Sequence, residues 1–172
     1  MARPTATKAK TAAVIYNPIK VKLKTLKSTV RAAEAAAGWN KTLWYETSVR
    51  DPGGAIAKQA LAAGADVVMA AGGDGTVRAV AESLRGTGVP LALLPSGTGN
   101  VLARNLGFSL NDLARSVETA FGGSPRAIDL GVVEAERADG SRSSHAFRAM
   151  AGIGLDAQMA ANTNAMLKAR AG

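Results

Sequence analysis

A chain of 172 residues with a hydrophobic fraction of 47% is long enough for one domain with a sizeable core, and it has no apolar run near the roughly 18 residues that span a bilayer. It has no cysteine, which excludes a disulfide framework and any thiolate metal site. The formal charge is +8, and all of that excess lies in residues 1–41, where nine bases face the single acid Glu34; the 12 bases and 12 acids of the remainder cancel.

Residues 1–10 form a basic leader expected to be disordered. The apolar stretch Ala12–Tyr16 is too short for the core of a signal peptide, so Thr11–Tyr16 is read as a first strand, in a cytoplasmic protein. Asn17-Pro18 ends it, because Pro18 has no N–H for a ladder and biases Asn17 to extended backbone. A helix then runs to about Ala37 and stops at Gly38. Its Lys20, Lys22, Lys24, Lys27 and Arg31 are either a solvated face or an attraction for phosphate groups or an anionic lipid surface. The aromatics do not interleave with these bases and no nucleic-acid motif occurs, so nucleic acid is not an expected partner.

Trp39–Thr47 is read as a second strand, with Trp39, Leu43 and Tyr45 on one face and Trp44 on the other. Asp51-Pro52 opens a helix with Pro52 in its first turn, continued by Ile56, Ala60, Leu61 and Ala63. Then comes Val67-Val68-Met69-Ala70-Ala71-Gly72-Gly73-Asp74-Gly75-Thr76. Its first half is apolar on both faces, as in a buried parallel strand. Val77, Val80, Ala81 and Leu84 follow at helical spacing. Between them lies a turn in which Gly72, Gly73 and Gly75 are expected to take positive φ and expose bare backbone, with Thr76 as helix N-cap. Such a helix N-terminus attracts anions, phosphate above all.

The pattern recurs after the turn Gly86–Pro90. Leu91-Ala92-Leu93-Leu94 enters Pro95-Ser96-Gly97-Thr98-Gly99-Asn100, and Val101, Leu102, Ala103 and Leu106 continue as a short helix. Two such loops leaving successive parallel strands lie side by side at the carboxyl edge of one sheet, where open α/β sheets bind ligands. Neither carries the Gly-Lys-Ser/Thr of a P-loop. Asn111 is read as the cap of a helix with Leu113, Val117, Ala120 and Phe121 on one side, and Ala127–Val133 as a fifth strand. The alternation points to a parallel sheet covered on both faces. Beyond it, Glu134–Ser143 is a polar hairpin around Asp139-Gly140, Ala146–Leu155 a strand and Asn162–Arg170 a helix.

Asn17-Pro18, Gly72-Gly73-Asp74-Gly75-Thr76, and Leu94-Pro95-Ser96-Gly97-Thr98-Gly99-Asn100 with Ala103-Arg104 resemble, in that order, the diacylglycerol kinase catalytic-domain family of bacterial lipid kinases and sphingosine and ceramide kinases. The resemblance covers about Ala13 to Asp156. It implies a three-layer α/β parallel-sheet lobe of the NAD kinase and phosphofructokinase kind over residues 1–131, and the beginning of an incomplete β-rich second lobe over 132–172. It also implies ATP-dependent phosphoryl transfer to a lipid hydroxyl, at the inner membrane face. The implied nucleotide contacts are Asn17, Pro18, Ile19, Lys20, Val21, Thr47, Gly72, Gly73, Asp74, Gly75, Thr76, Val77, Gly97, Thr98 and Asn100, with Mg²⁺ reached by Asp74 through water.

Ile19-Lys20-Val21 departs from the Ser-Gly that family members often carry there, and Arg78-Ala79 from an Asn-Glu. Arg78 either adds charge near the phosphates or faces solvent. Asp129 and Asp156 stand where the family has aspartates, or are strand-end caps. His145, the sole histidine, is expected to be exposed in the hairpin, and no cluster has zinc spacing. The family's catalytic aspartate lies in an Asp-Gly-Glu motif that these residues lack, so the chain by itself is expected to be at best weakly active. The other readings are a nucleotide-binding module or self-associating fragment, including a homodimer through second-lobe strands, and an NAD kinase.

Overall fold

The computed structural model describes residues 8–96, 99–136 and 139–147, the side chains of 143–147 excepted. Four strands, β1 (Ala12–Tyr16), β2 (Leu43–Glu46), β3 (Val67–Gly72) and β4 (Leu91–Pro95), form one parallel sheet in the order β2-β1-β3-β4. Helices α1 (Leu23–Ala37), α2 (Gly54–Ala62), α3 (Asp74–Leu84), α4 (Val101–Asn105) and α5 (Leu113–Gly122) cover it. This is the three-layer architecture expected from the sequence.

The two-residue alternation of the strands sorts the core into two layers. On one face Ala13, Ile15, Val68, Ala70 and Leu93 meet Ala57 and Ala60 of α2, Val77, Val80 and Leu84 of α3, and Leu102 of α4. On the other, Val14, Tyr16, Val67, Met69, Ala71 and Leu94 meet Leu26 and Val30 of α1 and Val117 and Phe121 of α5. Ile15, Met69 and Leu94 are fully buried, and each such side chain contributes about 1.5–3 kcal/mol through its removal from water. The small residues of β1 and β3 let helices approach from both sides, which is why these strands read as unbroken apolar runs.

Element ends follow their caps. Gly38 closes α1 at φ 68°, in the left-handed region that favours glycine. Asp51 holds the start of α2: its carboxylate accepts from the amides of Gly53, Ala55 and Ile56 at 2.9, 3.3 and 3.0 Å. Pro52 therefore precedes the helix rather than entering its first turn. Asp112, not Asn111, caps α5, accepting from the Arg115 amide at 2.9 Å.

Two expectations about strands are corrected. The second strand is shorter, and Trp39, lying ahead of it, escapes its alternation: it packs with Trp44 in the α1/α5 layer, its ring 5.1 Å from Phe121. Ala127–Val133 does not form a fifth parallel strand. Residues 124–130 carry no regular element, and β5 (Gly131–Glu136) pairs antiparallel with β6 (Arg142–Phe147) in a separate two-stranded sheet. The local turn decides this. Asp139 accepts from the Ser141 amide at 2.9 Å and Gly140 takes φ 78°, an Asp-Gly reversal that closes the hairpin at short range. His145 lies in β6 opposite Val133. Residues 1–7 of the leader, 148–155 of the strand expected over Ala146–Leu155, Asp156 and the helix expected over 162–170 lie outside the described residues.

Candidate functional site

The register of the four strands brings their carboxyl ends level. Tyr16 stands opposite Glu46 and Ala71, and Gly72 opposite Pro95. The ladder then runs one bond further: the Asn17 amide donates to the Ala71 carbonyl at 2.9 Å, that of Thr47 to Tyr16 at 2.9 Å, and that of Ser96 to Gly72 at 3.2 Å. The loops after β1, β2, β3 and β4 thus leave the sheet side by side, and together with the end of β3 and the first turn of α3 they hold the described residues assigned to the nucleotide from sequence. Gly97 and Thr98 lie outside the described residues.

In the first loop the Asn17 carboxamide folds back to accept from the Ile19 amide at 2.9 Å, and the Asn17 carbonyl accepts from the amides of Lys20 and Val21. This is a tight Asx turn that leaves Ile19 88% exposed and Lys20 in solvent. Thr47 is buried at the end of β2.

The glycine loop after β3 is built differently from the expectation. None of Gly72, Gly73 and Gly75 has positive φ; Gly73 is extended, at φ −91°. Their lack of a side chain matters for space instead. A Cβ on Gly72 would meet Thr76 Oγ1 at 2.8 Å, whereas at Gly73 and Gly75 nothing lies within 4 Å of that position. Gly72 makes room for the helix, and Gly73 and Gly75 present bare backbone to open space. Nor is Thr76 the N-cap. The first intrahelical bond runs from the Val77 amide to the Gly73 carbonyl at 3.1 Å, so Gly73 is the cap and Thr76 sits in the first turn, buried against Gly72. The amides of Asp74, Gly75 and Thr76 precede that bond and carry the positive end of an 11-residue helix. Val77 is a core residue. Arg78 turns along the helix to Glu82, 3.6 Å away, with its side chain half exposed.

Asp74 ties this loop to the next. Its Oδ1 accepts from the Val101 amide at 2.7 Å, so it supplies the α4 N-terminus with its acceptor. A Cβ on Gly99 would stand 2.7 Å from Asp74 Oδ2, so a side chain there would have to displace the carboxylate that holds the Val101 amide. Asn100 is the one non-glycine with positive φ among the described residues, at 46°, and is 97% buried, its relative exposure being 3%. Asparagine is among the few side chains that tolerate this conformation. Arg104 locks the turn from behind, its Nε donating to the Gly99 carbonyl at 2.8 Å. Gly99 and Arg104 were not assigned contacts from sequence; their signal was the Gly-Thr-Gly-Asn and Ala-Arg spacing itself.

No group of three or more carboxylates or imidazoles that could hold a metal occurs among the described residues. One exposed carboxylate, half engaged by an amide, fits a hard cation that takes most of its oxygens from phosphate and water. That is the habit of Mg²⁺. Asp74 would hold it, and its chemistry would be neutralisation of phosphate charge. Asp129 is exposed and outside any element. Two cavities of about 320 and 290 Å³ among the described residues lie elsewhere, beside β4, α4 and α5. A phosphate cradle made of backbone at a sheet edge is shallow, so it need not coincide with either of these hollows.

The profile of the family described as "Diacylglycerol kinase catalytic domain" matches residues 11–133. The chain is 34% identical over 107 residues to "Diacylglycerol kinase" of Mycobacterium tuberculosis, covering 62% of this chain and 33% of that one. It is 40% identical over 150 residues to "Probable lipid kinase YegS-like" of Pseudomonas aeruginosa, covering 81% and 44%. Among solved structures it resembles a diacylglycerol kinase from Bacillus anthracis, with TM-score 0.54 and 25% identity over 80% of this chain and 46% of the other. The chain thus spans a third to less than half of the length of these relatives.

Proposed function

From the premise that this chain belongs to the diacylglycerol kinase catalytic-domain family, we propose that it is the nucleotide-binding lobe of an ATP-dependent lipid kinase. The carrying observation is the pair of loops joined by Asp74 and Val101, which sets the bare backbone of Gly73 and Gly75 beside the Gly99-Asn100 turn. Phosphoryl transfer asks a protein mainly to position phosphates and to stabilise their charge. The α3 amides do the first, and Asp74 with Mg²⁺ the second. The Asn17–Val21 turn and Thr47 flank the site and bound the space for the rest of the nucleotide.

The acceptor in this reading is a lipid hydroxyl, such as that of diacylglycerol or a sphingosine-like lipid. The β5–β6 hairpin opens the second lobe, in which the family carries its general base. No Asp-Gly-Glu occurs in the 172 residues, so the chain by itself binds nucleotide without appreciable transfer. The test is calorimetric titration of MgATP into the chain, with thin-layer analysis of lipid phosphorylation in the same samples. Saturable binding with transfer near background is expected. Absence of binding at millimolar MgATP would overturn the reading.

A further inference from the structure

Glu46 ends β2 at the carboxyl edge of the sheet, and its side chain has a fixed place there. The Tyr16 hydroxyl donates to Glu46 Oε2 at 2.9 Å. Tyr16 is itself buried, its ring edge-on to Trp44 at 6.2 Å, so the donor is held by the core. Burial, together with the bond to Glu46, raises the Tyr16 hydroxyl above its ordinary 10.0, so it stays a donor at neutral pH. Glu46 is exposed. The ion pairs among the described residues are Arg78–Glu82 and Arg142–Glu136, so among them no cation pairs with this charge. An ionised carboxylate has about four acceptor positions. Tyr16 takes one, and the exposure of Glu46 leaves the others to solvent.

The register places this acid relative to the phosphate cradle. Glu46 stands level with Tyr16 on β1, and Tyr16 with Ala71 on β3, one residue before the glycine loop. Neighbouring strands are about 4.8 Å apart, so Glu46 lies two spacings, about 10 Å, from the end of β3 that feeds the α3 amides. That keeps its charge off a phosphate bound to those amides, and within reach of the sugar at the far end of a phosphate chain. Between them the helices change faces: the loop after β1 leads to α1 on one side of the sheet, and that after β3 to α3 on the other. Ligands of open α/β sheets lie across such a point. A nucleotide crossing it from α3 toward β2 brings its ribose to Glu46. Ile19 and Val49, the most exposed large aliphatic residues among those described, stand on the loops after β1 and β2 and offer the base an apolar surface.

We propose that Glu46, held by Tyr16, accepts hydrogen bonds from the 2′- and 3′-hydroxyls of the bound nucleotide's ribose. This rests on the nucleotide reading above and adds to it a selection for ribonucleotides over their deoxy forms. A carboxylate only accepts, and the two neighbouring hydroxyls of a ribose supply two donors. In doubly wound sheets the ribose of a bound dinucleotide is likewise held by an acid. An anionic group would be repelled from the same position, so the phosphates stay on the α3 side. Tyr16 is a positioning residue: it touches Glu46 and not the sugar.

Calorimetric titration of MgATP and of its 2′,3′-dideoxy analogue tests this, with magnesium tripolyphosphate as a probe of the phosphate cradle alone. Wild type should bind MgATP on the order of tenfold more tightly than the dideoxy form. Glu46→Ala should abolish that preference by weakening MgATP only, with tripolyphosphate bound as by wild type. Because this change strips the Tyr16 hydroxyl of its acceptor, the double variant Tyr16→Phe, Glu46→Ala removes both polar groups and should behave in the same way. Tyr16→Phe alone should keep part of the preference, since the carboxylate remains but is no longer held. The proposal is overturned if wild type binds both nucleotides equally, or if both Glu46 variants keep the wild-type preference. Equal weakening of all three ligands in both Glu46 variants would also overturn it, by making the residue structural. A full preference in Tyr16→Phe overturns the part given to Tyr16. If wild type binds neither MgATP nor tripolyphosphate, the nucleotide reading falls and this proposal with it. MgATP binding without a ribose preference overturns the proposal and leaves the nucleotide site standing.

Discussion

Asp74 Oδ1 accepts from the Val101 amide at 2.7 Å, across 27 residues of chain. A side chain at the N-terminus of α3 thereby caps α4, and the two loops of the candidate anion site are fixed to each other rather than merely adjacent. An acid in the first turn is favourable to α3 through the helix dipole and to α4 through its capping bond.

Asp74→Asn should separate structure from ligand binding. The carboxamide oxygen can still accept from Val101, so stability should fall by no more than about 1 kcal/mol. Loss of the charge should weaken MgATP binding at least tenfold, while magnesium-free ATP is affected less. Urea unfolding with calorimetry on the same variant checks both halves. Equal loss for ATP with and without magnesium would remove the metal from the role given to Asp74.

Gly73 and Gly99 should respond oppositely to alanine. Gly73 is extended with open space at its Cβ position. Gly73→Ala should therefore keep or slightly raise thermal stability, by up to about 1 kcal/mol through the unfolded state, yet obstruct the phosphate. Gly99→Ala must push the second loop off Asp74 Oδ2, now 2.7 Å from the added Cβ, and should lower both stability and affinity. Differential scanning fluorimetry with and without MgATP reads out the pair.

Asn100 holds φ 46° while buried. Asn100→Ala should cost about 1–3 kcal/mol, the scale of a strained left-handed residue together with a lost polar side chain. Asn100→Gly relieves the backbone part alone. Thermal melts of the two variants apportion the effect: a glycine variant no better than alanine would place the whole role of Asn100 in its side chain.

Acid sensitivity should trace in part to Asp51. Burial works against its charge, but the amides of Gly53, Ile56, Ala55 and Gly54 outweigh it and hold the carboxyl below its ordinary 3.8. A depressed folded value means stability that is fully present above the unfolded value and lost as pH falls through the folded one. Urea midpoints measured downward from neutral pH should show Asp51→Asn less stable near neutrality, with the gap to wild type closing in acid. A gap that is independent of pH would mean that the carboxylate charge is not what holds the start of α2.

Much of this was legible in the sequence because it rests on local chemistry. Val67–Ala71 and Leu91–Leu94 are apolar on both faces, and that alone places them inside a parallel sheet. The loops that follow were found by their glycines, but the reason for those glycines was not readable. Positive φ is a property of a single residue, whereas the clashes that exclude a side chain at Gly72 and Gly99 come from Thr76, four residues on, and from Asp74, 25 residues back. The Asp74–Val101 bond was invisible for the same reason. The parallel strand expected over 127–133 failed because apolar content does not choose a partner; the Asp139-Gly140 turn offers residues 131–136 a nearer one. Trp39 was misassigned by extending a strand's alternation to a residue outside the strand.

The β5–β6 hairpin should be the least stable part of the described fold. A two-stranded sheet is marginal in water, and its outer edges invite pairing with another chain. Amides of 131–136 should exchange with deuterium far faster than those of β3, and slow as concentration rises if second copies pair through these strands. Monomeric light scattering at every concentration, with hairpin protection equal to that of β3, would show that the hairpin has its full complement of partners within one chain.

The central claim is that the loops at the carboxyl edge of the sheet form a nucleotide site, and amide chemical shifts on MgATP titration measure it directly. The largest changes should fall on Asn17–Val21, Thr47, Gly73–Thr76 and Gly97–Val101, saturating together with one dissociation constant. The melting transition should rise in step, corresponding to about 2.7 kcal/mol at a hundredfold excess over that constant. Shifts confined to the cavity beside β4 and α5, or none at millimolar MgATP, would contradict the account.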